Sequence, residues 1–267
     1  MPDLNVTLVQ ADLAWEDAEA NRGAFARRLE ALPRGTDLVV LPEMFTTGFS
    51  MQAERLAETM QGPTVAWMQA AARRTGATLA GSAIIRTGAG LFNRLLWVPP
   101  EGPLRHYDKR HLFRMGGEHR VYQPGGRLLS VQLKGWRVRP LICYDLRFPI
   151  WCRNLGPGYD LLLVIANWPS VRREHWKTLL IARAIENQAW VVAVNRVGRD
   201  GHGLDYSGDS MVVDPFGGVR YQRAADEAMA SVRLSQAELE NGRAQFAAWK
   251  DADHTLAAPL ETLGDEG

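Results

Sequence analysis

Only two cysteines, Cys143 and Cys152, occur in 267 residues. A separation of nine positions through expected helix makes a disulfide scaffold implausible, and this usage suits a reducing compartment. Long apolar runs are missing as well. The longest, such as Leu161 to Ala166, are far too short to span a bilayer, and the start MPDLNVTLVQADLAWED lacks a basic region followed by an apolar one. A cytoplasmic protein with no membrane partner is expected. Neither sign of charge is in excess: the formal net charge is +1 with 23% charged residues, which removes any general electrostatic reason to bind nucleic acid. There is no GxSxG, Walker loop, GxGxxG or CxxC, so serine α/β-hydrolases, P-loop NTPases, Rossmann enzymes and thioredoxin-like proteins recede. His106, His111 and His119 fit neither HExxH nor a finger pattern, and no metal is expected. No Pro- or Ser-rich linker, repeat or composition shift divides the chain, which reads as one domain over 1–267. Its thinly apolar tail, 247–267, either frays or packs on a neighbouring subunit.

The chain does contain short, β-branched apolar runs: Leu4 to Val9, Asp37 to Leu41, Ala77 to Ile85, Leu91 to Val98, Trp136 to Ile142, Asp160 to Ala166, Trp190 to Asn195 and Ser210 to Val213. These predict strands. Helices are expected over Glu16 to Leu32, Pro63 to Arg74, Phe148 to Leu155, Arg172 to Gln188 and Ser235 to Phe246. The alternation is that of an α/β fold. Thr87-Gly88-Ala89-Gly90 and Asp214-Pro215-Phe216-Gly217-Gly218 read as hairpin turns, so the sheets must be mixed rather than purely parallel.

Three of the strands run into chemically able residues. Cys143 follows Trp136 to Ile142 and precedes Tyr144-Asp145-Leu146-Arg147-Phe148-Pro149, which reads as a first helical turn. A helix N-terminus favours thiolate over thiol. The residues alone leave Cys143 open between a nucleophile and a buried small hydrophobe, whereas Cys152, amid Phe148-Pro149-Ile150-Trp151, reads as core. Glu43 follows Leu38 to Leu41 and precedes Met44, Phe45 and Phe49, a setting more desolvated than that of a loop acid. Desolvation is the condition under which a carboxylate becomes a useful general base. Lys109 lies in the basic run Tyr107-Asp108-Lys109-Arg110-His111, which by itself reads as a solvated face.

Taken in order, the strings LVVLPEMF, YDKRHLF, LICYDLRFP, LLLVIANWP, ARAIENQAWVVAVNRVG and YSGDSMVVDPFG resemble the nitrilase or carbon-nitrogen hydrolase superfamily over essentially the whole chain. The resemblance implies a four-layer αββα sandwich, a catalytic triad of Glu43, Lys109 and Cys143, no cofactor, and a homodimer. It also implies a second glutamate that positions the lysine or the substrate. Glu118 falls in the right interval, unless it is a loop carboxylate pairing with His119 or Arg120.

Within the superfamily, PEMFTTGFSM, CYDLRFPIWCRN and NWPSVRREHWKTLLIARAIENQ look most like the ω-amidases, which hydrolyse the terminal amide of 2-oxoglutaramate and 2-oxosuccinamate. By that likeness the Tyr144 N–H joins Lys109 in holding an oxyanion. Such a substrate carries a free carboxylate and needs a cationic clamp. Arg147 could fill that role or pair with Asp145. Arg172 and Arg173 are further candidates, although adjacent helix residues cannot both face one pocket. Phe45 and Trp168 would line the apolar walls or belong to the core. A nitrilase, a carbamoylase, another amidase and a catalytically silent scaffold on the same fold are the competing readings.

Overall fold

The computed structural model describes residues 2–252, so most of the 247–267 tail lies outside the described residues. In chain order the first half is β1 (Leu4–Gln10), α1 (Ala18–Glu30), β2 (Leu38–Val40), α2 (Ala53–Leu56), α3 (Pro63–Thr75), β3 (Thr78–Thr87), β4 (Gly90–Val98) and β5 (Arg105–Asp108). There follow β6 (Val131–Leu133), β7 (Trp136–Ile142), α4 (Pro149–Cys152), β8 (Leu161–Ala166), α5 (Arg173–Asn187) and β9 (Trp190–Asn195). The last elements are β10 (Val197–Arg199), β11 (Asp205–Val213), β12 (Val219–Ala224), β13 (Ala228–Leu234) and α6 (Gln236–Gln245).

Two sheets form, one in the order β13-β1-β2-β3-β4-β5, the other β10-β11-β9-β8-β7-β6 with β12 on β11. In each, a parallel centre (β1-β2-β3 and β7-β8-β9) is flanked by antiparallel strands. The mixed sheets read from the two turns are therefore present, and Thr87 pairs directly with Gly90 across the first of them.

Side-chain alternation explains the layering. In β2, Leu38 and Val40 point into the core shared with the second sheet, while Val39 points the other way, toward α1 and α3. β4 repeats this, with Leu95 and Trp97 inward and Leu96 and Val98 outward. β8 is buried along its whole length. One of its faces meets the first sheet and the other meets Trp176, Leu180 and Ala184 of α5, giving the sandwich αββα.

Two expectations fail locally. The helix read over Phe148 to Leu155 is only the four-residue α4, and Cys143–Arg147 is a 3-10 turn. Pro149 starts α4, but Arg153 is already extended, and the Asn154 side chain instead binds Tyr159 and the Asn187 carbonyl. Strand β13 escaped notice because its residues, AMASVRL, carry little β-branched or aromatic content. It is held by β1 along seven paired positions.

Phe45, expected on the wall of a substrate pocket, is instead fully buried on the outer face of the first sheet. It packs edge-on against Phe25 and beside Trp67. Gly81 makes room for it: a Cβ there would stand 2.9 Å from the Leu41 Cβ and 3.1 Å from a Phe45 ring carbon. A Gly81→Ala replacement is expected to cost about 1–3 kcal/mol through overpacking. Urea denaturation measures it, and an unchanged midpoint would mean that the turn carrying Glu43 is not clamped against β3.

Candidate active site

Each candidate residue sits where a strand releases the chain. Glu43 lies in the turn after β2, pinned to β3 by the Leu41 N–H on the Ala80 carbonyl (2.7 Å), the Met44 N–H on Ser82 Oγ (2.8 Å) and the Phe45 N–H on the Ser82 carbonyl (3.0 Å). Lys109 follows β5 directly, and its N–H donates to the Asn93 carbonyl on β4 (3.0 Å). Cys143 ends β7 with φ +47°, the left-handed region that residues with a Cβ avoid. That conformation thrusts the side chain out of the strand line toward the other two.

The three converge. The Lys109 ammonium donates to Glu43 Oε1 at 2.8 Å and to both oxygens of Glu118 at 2.9 and 3.0 Å, with all three side chains essentially removed from solvent. Glu43 is held further by Asn93 Nδ2 (2.7 Å) and by the Asn167 N–H, which donates to Oε2 at 2.8 Å. Asn167 Nδ2 also binds the Glu43 carbonyl at 2.6 Å. Glu118 accepts from the Phe113 N–H at 2.6 Å, so it meets the lysine rather than His119 or Arg120. The Cys143 sulfur donates to the Asn167 carbonyl at 3.9 Å, on the residue whose N–H binds Glu43.

The charges follow from this count of groups. Burial works against the Lys109 ammonium, but Glu118 and then Glu43 outweigh it and raise its pKa above the ordinary lysine value. One cation between two carboxylates leaves negative charge in surplus. Burial, with Glu43 adding to it, accordingly raises the Glu118 pKa against the pull of Lys109. Burial and then the Glu43 charge push the Cys143 thiol well above its usual range, with Lys109 opposing. That direction is opposite to the one a helix N-terminus would give, and the residues from Cys143 to Arg147 form a 3-10 turn with no long macrodipole.

A second hub lies behind the elbow. Asp145, fully buried, accepts from the Tyr107 hydroxyl (2.7 Å), the His111 N–H (2.9 Å), His111 Nδ1 (2.8 Å) and the Ile142 N–H (3.2 Å). It joins the lysine-bearing segment of one sheet to the cysteine-bearing turn of the other. Asp145 is thereby committed, and Arg147 does not pair with it.

Cys143 and Lys109 open onto a cavity of about 180 Å³. Phe49, Met51, Phe113 and Trp168 supply apolar wall, Tyr144 lines it, and the loop between β10 and β11 contributes Asp200, His202 and Leu204. Arg147 and Arg172 enter it as well. The Arg147 guanidinium lies 4.7 Å above the Trp168 ring, that of Arg172 5.3 Å from the Phe113 ring, and among the described residues neither is ion-paired. Burial and the charge of Arg172 both lower the Arg147 pKa. Arg173 is excluded from the cavity: it opens α5 facing β11 and grips Asp209 with two bonds of 2.8 and 3.1 Å. The Tyr144 N–H is the second amide of the 3-10 turn and has no acceptor within it.

Asn93, Asn167, Ser82 and Asp145 were not recognised as site residues in the sequence. Asn93 carried a signal, being the one uncharged polar residue in the apolar strand GLFNRLLWV. A cavity able to hold a carbonyl carbon beside a thiol, a carboxylate and an ammonium is equipped for acyl transfer.

Comparison with known proteins agrees. The carbon-nitrogen hydrolase family profile matches residues 5–244. The chain is 49% identical to omega-amidase YafV of Escherichia coli (strain K12), over 95% of this chain and 98% of that protein. It is 31% identical to 2-oxoglutaramate amidase of Bacillus subtilis (strain 168), over 92% and 96% respectively. The crystal structure of a CN-hydrolase superfamily protein from Xanthomonas campestris, with an arsenic adduct in its active site, superposes with a TM-score of 0.94 at 49% identity, covering 97% of this chain and all of that one. With the profile running through both sheets and these relatives matched nearly end to end, the chain belongs to the carbon-nitrogen hydrolase family.

Proposed function

We propose that this hydrolase is an ω-amidase, releasing ammonia from the terminal amide of a small ω-amido acid of the 2-oxoglutaramate or 2-oxosuccinamate type. The observation that carries the reading is the cavity's contents: one thiol backed by a carboxylate and an ammonium, with two unpaired guanidiniums on the same wall system. A nitrile or a neutral amide gives those guanidiniums nothing to bind, whereas a free carboxylate offers each a bidentate partner.

In this reading Glu43 takes the Cys143 proton as the sulfur attacks the amide carbon. The carbonyl oxygen, now an anion, is held by the Lys109 ammonium and the Tyr144 N–H, donors in place before the charge forms. Collapse breaks the C–N bond, Glu43 returns its proton to the departing ammonia, and a thioester remains. Glu43 then draws a proton from water as the oxygen attacks the thioester carbon. The C–S bond breaks, the sulfur regains a proton and the acid leaves. Glu118 acts on Lys109, fixing its direction. The raised thiol pKa fits this scheme, in which proton removal accompanies attack. Arg147 and Arg172 bind the carboxylate, with Trp168 stacking beneath Arg147.

We also infer a homodimer, as the family resemblance suggests. Ile150 in α4, Val171 just before α5 and Ile185 within α5 are left exposed, an apolar surface that a second copy would cover. No helix among the described residues is long and apolar enough to cross a membrane. A reducing, cytoplasmic setting suits an unpaired nucleophilic thiol.

Lys109→Ala should lower kcat by about two to three orders of magnitude, the usual effect of deleting an oxyanion donor, and Cys143→Ala and Glu43→Gln should be inactive. Ordinary amidase rates in any of the three would remove the triad. Ammonia release should be fastest with 2-oxoglutaramate, compared with glutaramate, a nitrile and an N-carbamoyl acid. A preference for the nitrile or carbamoyl compound would displace the ω-amidase reading. Arg147→Ala should raise KM for 2-oxoglutaramate about tenfold or more, as expected for a lost charged hydrogen bond, with a smaller change in kcat. Light scattering on the eluting peak should give twice the chain mass of 29.7 kDa, and a monomer would reject the dimer.

A further inference from the structure

Arg147 reaches the cavity half-buried from the end of the 3-10 turn, and a long side chain left free there would sample many rotamers. Two contacts restrict it. Its guanidinium carbon lies 4.7 Å from the centre of the Trp168 ring, and its Nη2 stands 3.1 Å from Nδ1 of His175 in the first turn of α5. A guanidinium only donates, so His175 Nδ1 must accept and its proton must sit on Nε2. The bond therefore exists only with a neutral imidazole. On protonation Nδ1 carries a hydrogen, the acceptor is lost, and two cations face each other.

We propose that His175 is the positioning residue for Arg147 and makes substrate affinity depend on pH. The inference rests on the reading of Arg147 as carboxylate clamp. The sign follows from the bond: above the titration His175 is neutral and Arg147 is aimed, and below it Arg147 is released and KM for a carboxylate-bearing amide rises. Other charges around His175 are already engaged. Arg173 is taken by Asp209, Glu174 pairs with Lys177 at 2.9 Å, and the Arg172 guanidinium lies over the Phe113 ring. His175 is itself exposed, which lets the proton exchange freely with solvent and allows its replacement without opening the core.

The test is KM and kcat for 2-oxoglutaramate between pH 6 and 8 in the wild type, His175→Ala, His175→Asn, Arg147→Ala and the Arg147→Ala/His175→Ala double variant. His175→Ala should raise KM about three- to tenfold at pH 8, the loss of one solvent-exposed hydrogen bond, with kcat within about twofold. His175→Asn keeps an acceptor at the place of Nδ1 but does not titrate. It should retain the wild-type KM at pH 8 and abolish the rise seen in wild type toward pH 6. In the Arg147→Ala background, His175→Ala should cost nothing further, because its effect passes through the arginine. A His175→Asn enzyme with the wild-type pH dependence of KM would overturn the proposal, as would a KM that falls on acidification. If Arg147→Ala raises KM and His175→Ala does not, positioning by His175 is wrong and the clamp stands. If Arg147→Ala leaves KM unchanged, the clamp itself fails and the histidine's role falls with it.

Discussion

The buried ammonium of Lys109, held between Glu43 and Glu118, is the contact on which the site is built. Taking a lone ammonium out of water costs several kcal/mol even after relaxation, and only well-placed anions repay it. Two carboxylates surround this one, at 2.8 to 3.0 Å, and each of their oxygens has a further donor from Asn93, Asn167 or Phe113. Removing the lysine leaves two uncompensated carboxylates in a dry place. Burial, and after it the Glu43 charge, raises the pKa of the neighbouring Cys143 thiol.

The geometry depends on how the two sheets meet. Glu43 and Lys109 belong to strand ends of the first sheet, Cys143 to a strand end of the second, and no local sequence contact joins them. Two polar stitches cross the seam. Asn167, just after β8, grips both the side chain and the carbonyl of Glu43, and Asp145 grips Tyr107 and His111 beside Lys109. Side-chain alternation in β2 and β4 sets the spacing between the sheets, and these stitches set their registry. A packing error in the apolar layers would thus appear as a misaligned nucleophile.

Much of this was legible in the residues. Apolar runs revealed the central strands, and β7 and β9 match their expected limits residue for residue: β9 is buried along its whole length and reads as nearly unbroken apolar sequence, while β7 alternates Trp136 and Val138 with half-buried Arg137 and Arg139 before ending in Leu141 and Ile142. The edges were harder. β12, VRYQRA, is mostly solvent-facing, and its pairing on β11 is set by the hairpin rather than by hydrophobicity. Around the site, the order of Glu43, Lys109 and Cys143 at strand ends was readable, but the direction of side chains was not. Phe45 points outward and Arg173 toward Asp209 because single-residue alternation and helix phase decide which neighbour they meet. The local helix after Cys143 was misread because Pro149 looked like the start of a longer segment than the chain forms.

The backbone at Cys143 carries its own consequence. A side-chain-bearing residue at φ +47° holds torsional energy, of order 1–3 kcal/mol, that glycine in the same place would not. Selection at this position therefore pulls two ways, since the conformer that presents sulfur to the cavity is one the polypeptide would gladly surrender. Durability is traded for chemistry at a single α-carbon, and the hydrogen bonds gathered on Asp145 two residues later are what keep that bargain from unwinding.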